Sequence, residues 1–352
     1  MSRVPPPDLP DFRNALLNWY DQNRRDLPWR RTRDPYRIWI SEIMLQQTRV
    51  AAVLEHYEVF LKRFPNLKSL AGASESAVLA VWSGLGYYLR ARRMRECAQK
   101  IVGEYRGCFP QTAASLQLLP GIGRYTAAAI ASIAFAEPIA VVDGNVERVL
   151  QRLAGTRLAS EDLWQRAQSQ LSSSRPGDSN QSMMELGAVV CTPRQPKCGA
   201  CPVQEWCATK GDLPRISAKP SQSRKEVWCT LDERKGKVRL VQRCSKSSLM
   251  AAMWELPPYL VNDERDVPTH AGRIGALERS DTTPVRGSRL RGRSQSAPWQ
   301  TFRHSITVTD YTVHVIRRFN ARCNGNWIQI EKICDVPLTG LTRKILRAAG
   351  II

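Results

Sequence analysis

Cys191, Cys198, Cys201 and Cys207 are spaced C-x6-C-x2-C-x5-C, and this quartet carries the most definite chemistry in the chain. Four thiolates within seventeen residues can enclose one tetrahedral zinc ion or anchor a cubane iron–sulfur cluster, and spacing alone leaves both open. Between the first two cysteines lie Pro193, Arg194, Pro196 and Lys197. The metal would therefore prop up a stiff, basic hairpin suited to a phosphate backbone.

A second constellation lies upstream. Leu119 to Thr126 reads Leu-Pro-Gly-Ile-Gly-Arg-Tyr-Thr, between helices expected over 112–119 and 124–135. Pro120 ends the first helix. Gly121 and Gly123 allow positive φ and close approach, leaving amide N–H groups exposed at the start of the next helix. Such a turn holds one phosphate through backbone donors and the helix dipole, without reading sequence. Further on, Val141-Val142-Asp143-Gly144-Asn145-Val146-Glu147-Arg148 reads as an extended entry into a helix with Asp143 at its N-cap or first turn. The dipole is expected to keep that carboxyl ionised. An anion beside a clamped phosphate is placed to steady a cationic sugar. No lysine occurs between Lys100 and Lys197, and Tyr125 stands where a Schiff-base amine would be expected. Base removal here must use water or a carboxylate as nucleophile.

These residues need elements to hold them. Helical spacing (Phe12, Leu16, Trp19, Tyr20; Ile38, Ile43, Met44, Val50) and frequent turn signals predict many short helices up to about residue 210. Residues 211–225 form a polar linker rich in Pro, Ser and Lys. The period then changes to alternation: Val227, Cys229 and Leu231 with Val238 and Leu240 suggest a hairpin turning at 233–236. A second alternation runs from Ile306 to Val315, a further strand holds Trp327, Ile328 and Ile330, and a closing helix starts near Leu341. Residues 262–300 read as a flexible loop. The fold class is therefore a mainly α region over 1–210 and a separate α+β domain over 226–352.

Composition narrows the partners. A net charge of +20 on 352 residues points to a polyanion, with nucleic acid ahead of a membrane. The longest apolar stretch, Tyr125 to Ala136, is twelve residues and too short to span a bilayer. The segment MSRVPPPDLPDF lacks the apolar core of a signal peptide. Ten cysteines, six without motif spacing, point to a reducing cytoplasm instead of a disulfide scaffold.

In this order the hairpin, Asp143 and the cysteine quartet resemble the endonuclease III superfamily of base-excision glycosylases. Within it, Ser41-Glu42-Ile43-Met44-Leu45-Gln46-Gln47-Thr48 and Gly84-Leu85-Gly86-Tyr87-Tyr88 look like the MutY family of adenine glycosylases. Leu27-Pro28-Trp29-Arg30 and Met184-Glu185-Leu186-Gly187-Ala188 add to the match, with weaker support from Trp254-Glu255-Leu256-Pro257 and Phe302-Arg303-His304. The resemblance implies two helical lobes with a helix-hairpin-helix, a [4Fe–4S] cluster on the quartet, and a Nudix-like damage-recognition domain. It implies a monomeric, cytoplasmic, nucleoid-associated enzyme that hydrolyses the N-glycosidic bond of adenine opposite 8-oxoguanine or guanine in duplex DNA.

Residue roles follow from the same resemblance. Glu42 would protonate adenine N7 as general acid and Asp143 would steady the sugar cation, two carboxyls driven apart in pKa by their surroundings. Ile43, Met44, Leu45 and Trp29 would supply the apolar pocket that raises Glu42. Arg25, Trp29, Arg30, Tyr125 and Asn145 would meet the adenine nucleotide; Leu45, Gln46, Gln47 and Thr48 would face the orphaned base. Tyr87, with Leu85, would wedge between bases while the target is extruded. Six arginines between Arg24 and Arg37 would strengthen the positive field. Phe302 and His304 would approach the oxidised guanine, although Arg303 replaces the family's usual serine. Leu249 to Met253, LMAAM, has alanines where glycines are common.

Competing readings are a lyase acting on oxidised pyrimidines, which the missing lysine opposes, and a Nudix pyrophosphatase, whose R-E-x-x-E-E-x-G helix is absent from 226–352. A non-catalytic DNA-binding module is opposed by the presence of both Glu42 and Asp143.

Overall fold

The computed structural model describes residues 9–211, 213, 223–247, 249–258, 298–306, 309–317 and 325–352. Most of the expected linker and nearly all of the expected loop over 262–300 fall outside them, as does Cys323; the linker's last three residues, 223–225, already belong to a strand, as does Gln300 at the end of the loop. Contacts group the described residues into two bodies: residues 1–73 with 92–217, and residues 74–91 with 218–352.

Helices occupy the chain to residue 189: α1 (Leu9–Asn23), α2 (Pro35–Leu45), α3 (Val50–Arg63), α4 (Leu67–Ala71), α5 (Glu75–Trp82), α6 (Leu89–Glu104), α7 (Ala113–Leu116), α8 (Arg124–Phe135), α9 (Gly144–Ala154), α10 (Ser160–Gln170) and α11 (Pro176–Val189). Local chemistry sets their ends. Asp34 caps α2 by accepting from Tyr36 N, with Pro35 at the first helical position. Asp143 caps α9, which stops where Gly155 turns left-handed at φ 71°. On α9, Val146, Val149, Leu150 and Leu153 recur at helical spacing and join a core with Phe12, Leu16, Met183 and Leu186. Residues Thr126 to Ile133 of α8 are buried all round. Gly187 on α11 lets that helix approach α9 closely, since a Cβ there would lie 2.6 Å from Asn145 Cβ.

Two expectations for this body are corrected. The helix foreseen over 112–119 is a single turn, Ala113–Leu116, with Thr112 as its cap. Gly123 has φ −89°, so of the two expected positive-φ glycines only Gly121, at φ +75°, is left-handed; a Cβ on Gly123 would meet no protein atom within 4 Å.

The second body comprises α5, β1 (Ser223–Leu231), β2 (Glu233–Arg234), β3 (Lys237–Gln242), β4 (Trp254–Glu255), β5 (Gln300–Ile306), β6 (Thr309–Arg317), β7 (Asn326–Gln329) and α12 (Gly340–Ala348). One sheet has the order β1-β6-β5; the other runs β2-β3-β4, with β7 also on β3. The expected hairpin is real only over Glu233 to Val238. Val227 to Leu231 instead pair in parallel with β6, Val227 opposite Val313. Alternation fixes which side chains face the core, not which strand lies alongside. The run from Ile306 to Val315 is likewise two antiparallel strands, β5 and β6, and Ile330 begins a 3-10 turn after β7. Val227, Cys229, Leu231, Val238, Leu240, Phe302, Val313, Val315 and Ile345 form the core.

Candidate active site

Within the first body a cavity of about 700 Å³ is lined by Arg25, Trp29, Arg30, Glu42, Leu45, Gln46, Gln47, Thr48, Tyr125, Asp143 and Asn145. The site residues expected from this body converge there, apart from the hairpin glycines, the cysteines, Ile43 and Met44. The volume suits a small organic group, and none of the described residues lining it is a lysine.

Glu42 sits in the middle of α2 and is 5% exposed. Helical spacing turns it inward with Ile38 and Leu45 onto the cavity wall. Its carboxylate accepts one hydrogen bond, from Tyr125 Oη at 2.7 Å. Burial pushes the Glu42 carboxyl up to about 7, against that hydrogen bond, with the nearby Asp143 charge adding to the rise and Arg30 opposing it. Tyr125 itself is driven well above its ordinary value by burial and by the two carboxylates. Its hydroxyl therefore remains a donor. The apolar wall differs from expectation: Trp29 and Leu45 contribute with Leu27, Ile38, Ile133 and Met184. Ile43 and Met44 point into the core instead.

Asp143 occupies the N-cap of α9. Its Oδ1 accepts from Asn145 N at 2.9 Å and Val146 N at 2.7 Å, and Oδ2 accepts from Asn145 Nδ2 at 3.1 Å. Burial raises its pKa above the ordinary aspartate value despite these donors and Arg148. The helix end is expected to keep this carboxyl ionised; burial works against it, and the donors at the start of α9 work for it. The donors still favour the anion: Asp143 receives three hydrogen bonds where Glu42 receives one.

Behind Asp143, Arg148 Nη2 donates to Asn145 Oδ1 at 2.9 Å and Gly187 O at 2.6 Å, while its Nε donates to Cys191 O at 2.8 Å. Arg152, one turn on, donates to Cys191 Sγ at 3.2 Å and Thr192 O at 2.8 Å. The helix capped by the carboxylate is therefore fastened to the start of the cysteine strap.

The residue that sequence reasoning passed over is Glu185 on α11. Its side chain has no solvent exposure and accepts from Arg25 Nε and Nη2, each at 2.7 Å, and from Arg30 Nη2 at 2.7 Å. Burial alone would raise it, but the two guanidiniums overrule that and bring it down to about 2. Arg25 and Arg30 are thereby fixed as a charged wall of the cavity. The available signal was a lone acid among Met183, Met184 and Leu186, which in a basic chain calls for a cationic partner.

Around the rim, Gln46 Nε2 donates to Thr126 Oγ1 at 3.2 Å, and Gln47 adopts φ +54° just past the end of α2. In the helix-hairpin-helix turn, a Cβ on Gly121 would sit 2.7 Å from Arg93 Cβ. The amides at the start of α8 follow at once.

Four expected residues lie in the second body. Leu85 is 6% exposed and serves packing, whereas Tyr87 is 51% exposed. Phe302 is 6% exposed and packs within the sheet core. His304, half-buried, has its pKa lowered by burial and by Lys344.

Cys191, Cys198, Cys201 and Cys207 line one small cavity with Arg152, Lys197 and Lys210. Among the described residues no set of three or more His, Cys, Asp or Glu is drawn tightly enough to hold a single metal ion. Four thiolates facing a common space suit an iron–sulfur cluster, and Arg152 Nη1 and Lys210 N donate to Cys191 Sγ and Cys207 Sγ.

Known proteins agree with this geometry. A family described as HhH-GPD superfamily base excision DNA repair protein matches residues 40–171, and the iron–sulfur binding domain of endonuclease III matches residues 191–207. A solved thermostable thymine-DNA glycosylase is 31% identical, with TM-score 0.54, covering 57% of this chain and 96% of that one. The chain belongs to the HhH-GPD superfamily of base excision DNA repair proteins, and its quartet is the ligand set of an iron–sulfur cluster. Endonuclease III bound to DNA, at 21% identity and TM-score 0.51, shares the fold. Within the superfamily the chain is similar to proteins named adenine DNA glycosylase. That of Homo sapiens is 51% identical over 214 residues, 56% of this chain and 39% of that protein. That of Mus musculus is 49% identical over 233 residues, covering 60% and 45% respectively. The Arabidopsis thaliana protein is 40% identical over 317 residues, covering 75% and 50%. The chain thus spans half or less of the length of these relatives.

Proposed function

We propose that this chain is a monofunctional DNA glycosylase that hydrolyses the N-glycosidic bond of adenine mispaired with 8-oxoguanine or guanine, acting as a monomer on duplex DNA. The observation that carries this reading is the pair of carboxyls in one cavity. Glu42 has its pKa pushed up to about 7, and Asp143 is held by three donors. An extruded adenine entering the cavity meets a protonated Glu42, which gives its proton to N7 and makes the base a competent leaving group. Positive charge then gathers on the deoxyribose, and the Asp143 carboxylate steadies it. Water completes the hydrolysis; with no lysine among the described residues of the wall, the sugar forms no Schiff base and the strand stays intact. The Glu185–Arg25–Arg30 group supplies a rigid polar face for the base edge. The turn at Gly121 holds a phosphate through backbone amides. When bound, the cluster supplies a rigid cross-link for the basic strap over 191–207, which Arg148 and Arg152 tie to the helix that Asp143 caps.

The second body, with its sheet order β1-β6-β5, fits a Nudix-like damage-recognition role for 226–352. There Arg303 is exposed on β5, where the family's serine would stand. Charge and cysteine usage suit work on DNA in a reducing cytoplasm, at the nucleoid.

The test is a duplex assay. The full chain loaded with its cluster is expected to release adenine opposite 8-oxoguanine and opposite guanine, leaving an abasic site whose strand breaks only on alkali treatment. Glu42→Gln should abolish release while retaining duplex binding. A borohydride-trapped adduct with strand nicking would replace this reading with the lyase one.

A further inference from the structure

The turn carrying Tyr87 is held from two sides. Gly84, Gly86 and Tyr87 all have positive φ, at 108°, 70° and 47°, so a non-glycine residue sits in a left-handed conformation at the tip. Such strain persists only where the surroundings over-determine it. Tyr87 and Leu89 are 51% and 62% exposed, two large apolar side chains offered to solvent on a strained turn. From within, Trp82 Nε1 donates to Gly86 O at 3.0 Å, and Arg90 Nη2 donates to Leu85 O and Gly86 O at 3.2 Å each. The Arg90 guanidinium also lies 5.6 Å from the Tyr87 ring.

The outer brace comes from residues 338–343. Ser83 Oγ donates to Leu338 O at 2.7 Å across 255 positions of sequence, and Tyr88 Oη donates to the same carbonyl at 3.3 Å. Arg343 on α12 donates to Ser83 O. Ser83 and Tyr88 are buried, at 2% and 5% exposure. Leu338 is itself fixed, bridged to Trp254, while Trp254 N donates to Pro337 O and Thr339 N to Trp254 O.

We infer that Ser83, Tyr88 and Arg343 are positioning residues that clamp the Gly84–Tyr88 turn to the 338–343 segment, so that Tyr87 is presented as a preformed wedge for parting stacked bases. Entering a base step costs a few kcal/mol of stacking, and a turn free to yield would lose that strain into its own backbone. A turn fixed beforehand carries less ordering cost at the moment of insertion. The inference rests on the glycosylase reading and extends it: residues 338–343 would act in base extrusion as well as in packing.

The experiment compares wild type with the Ser83→Ala/Tyr88→Phe double variant, which removes both donors to Leu338 O and keeps the ring. Arg343→Ala and Arg343→Lys form a rescue pair. Hydrogen exchange of the amides of residues 85–90 is read in the free protein. Single-turnover adenine release is read on an A:8-oxoguanine duplex and on adenine opposite an abasic site, where the base is already poorly stacked. A displacement of about 1 Å can cost on the order of 100-fold, so release from the paired duplex should fall at least about tenfold. The unstacked substrate should lose less than about twofold, exchange at 85–90 should quicken, and Arg343→Lys should recover most of what Arg343→Ala loses. Unchanged exchange, or equal loss on both substrates, would overturn the inference. A wild type that releases adenine from neither substrate would sink the glycosylase reading, while exchange would still decide whether the brace exists.

Discussion

Glu42 and Asp143 are both carboxyls in one cavity, and their separation into acid and anion comes from what each touches. Glu42 has a single donor, Tyr125, and burial outweighs it. Adenine release should therefore be highest below about pH 7 and fall as pH rises through it, because the proton to be donated is lost. Tyr125→Phe removes the contact that favours ionised Glu42, so the falling limb should move to higher pH; single-turnover rates against pH check this, and a shift to lower pH would contradict it. The same burial bears on folding. A carboxyl raised from 4.5 to about 7 favours the folded state below pH 4.5 and loses that contribution between 4.5 and 7. Above pH 7 the ionised, buried group costs on the order of 3 kcal/mol. Glu42→Gln should therefore melt higher than wild type at pH 8, with the advantage gone near pH 4.5. Equal melting temperatures at both pH values would show that Glu42 is not carried at a cost. Asp143 was legible at this scale because an Asp-Gly after two β-branched residues marks a helix start. Glu185 was not, because a buried acid is recognised only once its arginines are brought to it from 160 and 155 positions away.

At the scale of elements, the hairpin separates what a motif says from what its geometry requires. Gly121 and Gly123 look equivalent in the sequence, yet only Gly121 has positive φ, and only there would a Cβ strike Arg93 at 2.7 Å. Gly121→Ala should destabilise the fold by about 1–3 kcal/mol and weaken duplex binding. Gly123→Ala should leave both nearly unchanged, since its φ of −89° suits any residue. Melting curves and DNA titrations on the two variants decide it; equal losses would mean that the second glycine is needed by the phosphate, not by the backbone. Helices were readable because capping and spacing are local: α8 runs over the expected 124–135 and α12 starts one residue before Leu341. Strand partners were not. The pairing of β1 with β6 is settled between residues some 86 apart, and nothing in Val227 to Leu231 names its neighbour. Leu85 and Tyr87 show the same limit, since alternate positions of one turn are divided between core and solvent by contacts far along the chain.

For the molecule as a whole, charge counted is not charge free. The net +20 comes from 52 basic and 32 acidic residues. Of the six arginines between Arg24 and Arg37, Arg25 and Arg30 are bound to Glu185, Arg31 to Asp26 and Arg37 to Asp34. That segment, which by sequence was to light the cavity with positive field, has most of its arginines in ion pairs within the chain, two of them on the buried Glu185 and two at the surface. Phosphate contacts must come from the hairpin amides, the strap with Arg194 and Lys197, and the remaining surface. Backbone amides release condensed counterions less completely than lysine or arginine, so the salt response reports how many side chains bind. Each neutralised phosphate contributes about −0.9 to the slope of log affinity against log salt. If the unpaired surface charge meets the duplex, a slope of about −4 or steeper is expected for non-cognate DNA. Arg194→Ala and Lys197→Ala should each make it shallower by about 1, with adenine release at saturating protein unaffected. A slope near −1 would mean that the excess charge serves some purpose other than gripping DNA, and the hairpin alone would then have to hold the duplex.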